Sequence, residues 1–307
     1  MRCTPPDIFA AMTFSIVAFD EAASPSPEWG VAVASKFLAV GAVVPAARAG
    51  VGAVATQALA NATYTSRGLD ALAAGGDAAA VLTDLTSGDD EKEQRQAGIV
   101  DARGGVAAFT GAECMSWAGD RQGDGFSCQG NVLSGPEVID DMASAFESGR
   151  GELAQRLVAA LVAGYEAGGD ARGMQSAALL VVRREGGYLG GTDETVNLRT
   201  DDHPDAVYEL KRLFSVHQFY WPRPESLSFE PIDVDTAADI RKRLARLGYK
   251  SGSGTGYDKE LRNALYDFVG MENLEQRWGE DDCIEKGVAA HLRQLTLETR
   301  ETQVEEL

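Results

Sequence analysis

The four cysteines and three histidines are the first residues to consider for metal or redox chemistry, and their spacing argues against both. No two cysteines have the two-residue separation of a metal or redox motif, and the histidines do not complete a zinc pattern. We therefore expect free thiols in a reducing compartment and no metal. Cys128 keeps some interest because it lies two residues before the pair Gly130-Asn131.

A glycine-rich segment has the spacing of a dinucleotide-binding fingerprint. It reads Gly50-x-Gly52-x-x-Ala55, and Asp70 follows about 20 residues later. In that fingerprint the glycines follow a strand and open a helix, whereas here they begin an apolar, strand-like run. We therefore rank a nicotinamide-dependent oxidoreductase behind a hydrolase, and we expect no cofactor.

Thr13 directly follows Met12, so that removal of Met12 as an initiator would make this hydroxyl residue the first of the chain. An initiator Met before a small residue such as Thr is normally removed, so translation from Met12 would expose the α-amino group of Thr13. Residues 1–12 contain Pro5-Pro6 and no periodic pattern. We interpret them as a leader from a misassigned start, with a cleaved propeptide as the alternative. Thr13 could also be an ordinary β-former at a strand start.

Strand-like and helix-like segments come in blocks rather than in strict alternation. Apolar runs at 13–20 and 30–35 predict an antiparallel hairpin with a longer loop. Further strands are predicted at 51–56, 96–101, 105–110, 126–132 and 176–182, and helices are predicted around 69–85, 136–146, 153–161 and 204–214. This order favours an α+β fold, specifically a four-layer αββα sandwich with two facing sheets and helices outside both.

A second, smaller region follows a proline-rich stretch that begins at Trp221-Pro-Arg-Pro224. We predict a linker there and three segments: 1–12 as leader, 13–225 as the main domain and 226–307 as a small all-α domain. Apolar residues recur at helical spacing from Ile240 to Phe268. This region is similar to small three-helix peptidoglycan-binding-like modules, although a helical packing or substrate-lid role remains the alternative.

Five motifs in order resemble an uncharacterised prokaryotic family, domain of unknown function 1028. The resemblance covers roughly residues 12–220, and the motifs lie at 12–20, 30–41, 50–57, 129–131 and 169–178. What it implies is the fold of the N-terminal-nucleophile (Ntn) hydrolases. In such enzymes the first residue supplies both the nucleophilic hydroxyl and, through its α-amino group, the base that activates it.

Carried onto this sequence, the resemblance makes Thr13 the catalytic nucleophile and its own α-amine the base. Lys36 ends the second strand, where its ammonium would keep the amine neutral and stabilise an oxyanion; Ser35 beside it is counted with the catalytic residues. Asn131 could give a side-chain N–H to the oxyanion, or it could be a turn residue. No Asp stands at the end of this strand, which departs from proteasome-like enzymes.

Three further polar residues inside or near the family motifs are candidates for substrate binding. Gln57 ends a predicted strand, and Arg95 and Gln175 lie near charged groups that could equally be structural. The expected substrate is a small-molecule or peptide-like amide. The alternative is a non-catalytic Ntn scaffold that acts as a binding or assembly protein.

The composition excludes some partner classes. The chain has 47 acidic and 28 basic residues and a net charge of −19, so it would repel a phosphate backbone and we expect no nucleic acid. No apolar run approaches ~18 residues, so no membrane span is predicted, and no secretory signal is recognisable. We expect a cytoplasmic homo-oligomer, and the excess of acid with few lysines fits either a salt-adapted host or a GC-rich genome.

Overall fold

A computed structural model describes residues 13–305, with side chains described to residue 297. The predicted leader lies outside the described residues. The described residues form two compact units, and the division between Leu213 and Phe214 falls inside the helix Ala206–Tyr220.

The described part of the first unit is built on two antiparallel sheets. The strands are β1 Thr13–Asp20, β2 Glu28–Ser35, β3 Pro45–Arg48, β4 Gly52–Ala58, β5 Arg95–Asp101, β6 Val106–Thr110, β7 Trp117–Gly123, β8 Phe126–Leu133, β9 Ser176–Val182 and β10 Glu194–Thr200. The larger sheet has the strand order β10-β9-β2-β1-β8-β7, and the smaller has the order β3-β4-β5-β6. β1 and β2 pair as the predicted hairpin.

Helices cover the outer faces of both sheets. α1 Thr63–Ala73 and α2 Ala78–Ser87 pack on the smaller sheet, and α3 Glu137–Ser148 and α4 Leu153–Glu166 pack on the larger one. The two sheets contact each other through β1, β4, β5 and β8. This arrangement confirms the predicted α+β class with an αββα layer order; α5 Ala206–Tyr220 follows.

β1 is buried on both faces because it is a central strand of the larger sheet. Val17 packs with Ala53 and Ala55 of the facing sheet, whereas residues of even number face the helices. Gly30, which pairs with Ala18, lies so close to α4 that a Cβ there would meet Leu157. Alternate residues of the strand therefore serve two different layers, as the apolar run on both faces predicts.

The segment with the dinucleotide-binding spacing is a strand and not a strand-to-helix turn. Gly52 opens β4, and a Cβ at this position would overlap the carbonyl oxygen of Val100. The glycine is thus needed for close contact between neighbouring strands. Because the fingerprint requires the glycines to open a helix, the structure does not support the dinucleotide-binding interpretation.

The second unit has its own apolar core. It contains β11 Phe229–Pro231, β12 Cys283–Glu285, α6 Val234–Arg246, α7 Lys259–Met271 and α8 Lys286–Glu305, and its core includes Ile240, Leu244, Leu261, Leu265 and Phe268. The predicted apolar stripes therefore pack on one another. Among the described residues of the whole chain, no helix combines the length and apolarity needed to cross a bilayer.

Candidate functional site

Thr13 lies in the middle of a row of polar residues that crosses the larger sheet. In the strand register Thr13 is opposite Ser35 on one side and opposite Asn131 on the other. Directly opposed residues of antiparallel strands point to the same face, so the three side chains share the face that looks toward the smaller sheet. All three are fully buried, and the Thr13 hydroxyl donates a 3.1 Å hydrogen bond to Ser35 Oγ.

The facing sheet contributes two buried glutamines to the same place. Gln57 Nε2 is 3.4 Å from the carbonyl oxygen of Thr13 and donates at 2.8 Å to Gln96 Oε1. Gln96 Oε1 also accepts a 2.9 Å hydrogen bond from Asn131 Nδ2. The two sheets are therefore joined beside Thr13 by side-chain hydrogen bonds rather than by apolar packing alone.

The surrounding backbone carbonyls fix which way these amides point. Gln96 Nε2 donates to the carbonyl oxygens of Gly130 at 2.8 Å and Gly119 at 3.2 Å. Because a carbonyl can only accept, this end of Gln96 must be its NH₂ group, and its oxygen must face Asn131 and Gln57. The group of Asn131 nearest Gln96 Oε1 is then its NH₂ group, which leaves Asn131 Oδ1 without a partner among the described residues.

A third glutamine completes the network one step further along the strands. Gln129 Nε2 donates to Ser15 Oγ at 2.7 Å, and the Ser15 hydroxyl donates to Gln57 Oε1 at 2.6 Å. Space for the Gln129 side chain exists because Gly98 stands opposite it, where a Cβ would overlap the carboxamide. Farther along, Val17 packs against Ala53 and Ala55.

The interface between the sheets is therefore polar at the Thr13 end and largely apolar beyond it. Buried polar groups cost free energy unless they are hydrogen-bonded, and an apolar core would be simpler to pack. Most polar groups around the Thr13 hydroxyl are hydrogen-bonded, but Asn131 Oδ1 is buried and unpaired among the described residues. An unpaired buried group of this kind makes this end of the interface the candidate site.

Lys36 follows β2, and its contacts lead to the loop before β9. Its backbone N–H donates to Asp170 Oδ2 at 2.9 Å, and its Nζ donates to the carbonyl oxygen of Met174 at 3.3 Å. Asp170 is buried and also accepts from Arg172. Lys36 therefore follows the strand that pairs with β1, its side chain is exposed, and its described hydrogen bonds go to the loop before β9 and not to Thr13.

Arg95 lies in a separate, buried ionic cluster at the start of β5. Its guanidinium donates to Asp89 at 3.0 Å and to the carbonyl oxygen of Leu59 at 2.6 Å. Burial disfavours the charge on Asp89, but hydrogen bonds from Arg95 and Asn61 outweigh it and lower the pKa of that carboxyl well below its usual range. Burial and the bond to Asp89 raise the pKa of Tyr64 to about 12. These contacts give Arg95 a structural task.

Gln175 and Cys128 lie at two other positions that the sequence singled out. The backbone N–H of Gln175 donates to Ser35 O at 2.9 Å, and its side chain donates to Asp202 at 3.1 Å. Cys128 pairs with Ile16 and therefore faces the helices rather than the polar row. Complete burial raises the pKa of its thiol, so Cys128 is unsuited to nucleophilic chemistry.

Sequence reasoning did not identify Ser15, Gln96 and Gln129 as site residues. The available signal was polarity at alternate positions of buried strands. Ser15 stands two residues after Thr13, and Gln129 two residues before Asn131, so each pair shares a face of its strand. In a strand buried on both faces, a polar residue in phase with a candidate nucleophile is itself a candidate.

The comparisons with known proteins agree with this architecture. Residues 13–210 match the family described as "Family of unknown function (DUF1028)", and residues 222–292 match the one described as "Putative peptidoglycan binding domain". The crystal structure of protein SPO2555 from Silicibacter pomeroyi, assigned to DUF1028, is similar with 30% sequence identity and a TM-score of 0.61. The match covers 67% of this chain and 89% of that one. No curated protein matches significantly. The chain belongs to the DUF1028 family.

Proposed function

We propose that the first unit is an amide hydrolase in which Thr13, as the first residue of the mature chain, is the nucleophile. The observation that carries this proposal is the position of the Thr13 hydroxyl: it lies on a central strand, donates to Ser35 at 3.1 Å and stands opposite Asn131 in a buried polar layer. The family resemblance to Ntn hydrolases supports the same assignment.

The chemistry follows from having hydroxyl and amine on one residue. The neutral α-amine accepts the proton of Thr13 Oγ1 as this oxygen attacks the substrate carbonyl. The tetrahedral intermediate then expels the leaving amine, which takes the proton from the α-ammonium group. Water hydrolyses the resulting acyl ester, again with the amine as base, and the free hydroxyl is restored. An α-amine titrates at ~7.7–8.0, close to the working pH, which suits a group that accepts and returns a proton.

The neighbouring residues are assigned supporting tasks. Ser35 orients Thr13 Oγ1 through the hydrogen bond between the two hydroxyls. When the amine is free, Ser35 becomes the donor in this bond and the Thr13 proton turns toward the amine. Asn131 uses its NH₂ group on Gln96 and has a second N–H for the oxyanion. We propose that the ammonium of Lys36 acts on the developing charge from the strand end. Gln57 lines the same polar layer from the facing strand, where it is hydrogen-bonded to Ser15.

The test is a comparison of Thr13 variants on acyl p-nitroanilides and p-nitrophenyl esters. Thr13→Ala should lower turnover by several orders of magnitude, because loss of a nucleophile costs up to ~10⁶ in comparable units. Thr13→Ser should keep part of the rate, since Ser retains hydroxyl and amine. Thr65→Ala removes a half-buried threonine hydroxyl on α1 that donates to Ala62 O, outside the polar layer, and should leave turnover unchanged. Equal turnover of the Ala variant and the wild type would refute the mechanism.

A non-catalytic scaffold is the second candidate, and one observation favours it. Thr13 is fully buried, and while a peptide bond occupies its nitrogen the residue has no base. A protein that keeps residues before Thr13 in its own host, and that shows no hydrolysis, would favour a binding or assembly role.

We propose that the second unit contributes to substrate choice rather than to the reaction. Its core is complete in itself, and its match to a peptidoglycan-binding description fits recognition of peptide-like amides. Removing this unit should raise KM for large amides more than KM for small ones. KM values for large and small amides that change by the same factor would contradict this role.

A further inference from the structure

We propose that Asn131 Oδ1, together with the Asn131 backbone, receives the α-amino group of Thr13 once that group is free. Asn131 is then the positioning residue for the catalytic base. This inference rests on the proposed function, which assigned Asn131 only an N–H toward the oxyanion. It goes further by giving the carboxamide oxygen a separate task.

The first step is the orientation of the Asn131 carboxamide. The carbonyl oxygens of Gly130 and Gly119 fix the NH₂ end of Gln96, so Gln96 Oε1 must face Asn131. The 2.9 Å contact between the two side chains therefore requires an N–H on Asn131. Rotating the carboxamide of Asn131 by half a turn would place two oxygens against each other. Its Oδ1 is held in one direction by the network.

The second step is that this oxygen is an unused acceptor. Asn131 is fully buried, and its Oδ1 has no hydrogen-bond donor among the described residues. A buried, unpaired carbonyl oxygen costs on the order of 1–3 kcal/mol. A group that arrives with spare N–H donors would remove this cost, and a primary ammonium has three.

The backbone nitrogen of Thr13 lies on the side of β1 that faces Asn131. Residues two apart in a strand direct their backbone N–H groups the same way. Phe19 N donates to Gly125 O at 2.8 Å, across the β1–β8 side of the sheet. Thr13 lies six residues earlier and thus in phase with Phe19, so its nitrogen also points toward β8, where Asn131 stands directly opposite.

The consequence is a fixed geometry for the base. One N–H of the free amine remains on the backbone side of β8, and a second reaches Asn131 Oδ1. With these two N–H groups bound, the fourth substituent position of the nitrogen is directed toward Oγ1 of the same residue. In the neutral amine this position holds the lone pair, and in the ammonium form it holds the third proton. Ser35 holds that hydroxyl from the opposite strand. Asn131 and Ser35 thus orient the two functional groups of Thr13 from its two neighbouring strands.

The experiment measures the pKa of the Thr13 α-amine by NMR in ¹⁵N-threonine-labelled full chain that begins at Thr13. An acceptor favours the ammonium form, so Asn131→Leu should lower this pKa by about one unit, the equivalent of one hydrogen bond to a charged group. Asn131→Asp keeps an acceptor and adds negative charge, so it should raise the pKa. Gln129→Leu disturbs the network without removing the acceptor and should leave the pKa unchanged.

The inference is overturned if a folded Asn131→Leu variant leaves the amine pKa at the wild-type value, or if Gln129→Leu shifts it as much as Asn131→Leu does. Should Asn131→Leu fail to fold, Asn131→Ala decides, because it removes the acceptor without adding bulk: a lowered pKa supports the contact and an unchanged pKa contradicts it. The readout needs no substrate. A chain with a shifted amine but no acyl transfer would therefore contradict the proposed function while supporting the position of the amine.

Discussion

Replacing Gln96 by Leu removes the residue that joins the two sheets beside Thr13. The Gln96 carboxamide contacts five groups: it donates to Gly130 O, Gly119 O and Thr110 Oγ1, and it accepts from Gln57 and Asn131. Leu has a similar volume, so we expect the layers to stay packed. The change therefore isolates the hydrogen bonds from the shape of the core.

The expected loss in free energy of unfolding follows from the groups that lose a hydrogen-bond partner. Asn131 Nδ2 loses its acceptor, whereas Gln57 Nε2 keeps Gln129 O at 3.2 Å. The buried carbonyl of Gly130 also loses a side-chain donor. At about 1–3 kcal/mol for each of these two buried groups, and with Gln57 largely satisfied, we expect a loss of about 2–6 kcal/mol. That is a large part of the 5–15 kcal/mol typical of a domain.

Hydrogen exchange followed by mass spectrometry measures this loss locally. Peptides that cover β1 and β8 should exchange faster in the Gln96 variant than in the wild type. Gln122→Leu on β7 is the matched control, because Gln122 is exposed and contacts only Asp120 among the hydrogen-bond partners described; it should stay within about 0.5 kcal/mol of wild type. Exchange of β1 and β8 that is equally slow in the Gln96 variant and the wild type would refute the view that this network stabilises the site.

Two further changes test other parts of the structure. Gly98→Ala should displace the Gln129 carboxamide and cost about 1–3 kcal/mol in chemical denaturation. Asp89→Asn should cost about 1–3 kcal/mol at neutral pH, because Arg95 loses its buried carboxylate partner and keeps the exposed carboxylate of Glu91 and the carbonyl oxygen of Leu59. The folded-state pKa of Asp89 lies below that of the unfolded chain, so its contribution is complete above about pH 4 and disappears as the pH falls further. The Asn variant should lack this part of the acid dependence.

Controls separate these effects from general damage. Gly270→Ala introduces a methyl group that meets nothing within 4 Å, so this variant should be at least as stable as wild type. A Gly98 variant of wild-type stability would show that Gln129 moves without losing hydrogen bonds. If the stability of the Asp89 variant and that of the wild type fell with the same dependence on pH, the Asp89 carboxyl would not contribute to acid unfolding.

The sequence predicted the elements whose apolar pattern is strong. β1 begins and ends where its apolar run does, and β8 differs from the prediction by one residue. β7 and β10 were not predicted because each lies at an edge of the larger sheet, where only one neighbour is required and polar residues are tolerated. β7 reads Trp-Ala-Gly-Asp-Arg-Gln-Gly, which has neither alternation nor an apolar run.

The candidate site was predictable along the chain but not across the sheets. Thr13, Ser35 and Asn131 come from family motifs, and the hairpin brings the first two together. Gln96 came into the site only through the packing of β5 on β8, a contact between strands of different sheets. Pairing across a sheet follows from strand order, whereas the register between two facing layers depends on every side chain in between.

The state of Thr13 in the protein from its own host tests the central claim most directly. The measurement combines the intact mass with peptide mapping after brief exposure to p-nitrophenyl acetate. We expect that the mature chain begins at Thr13 and that it carries an acetyl group on this residue which hydroxylamine removes, as for an ester on Oγ1. An active protein that still carries residues before Thr13, or whose acetyl group lies elsewhere, would contradict it.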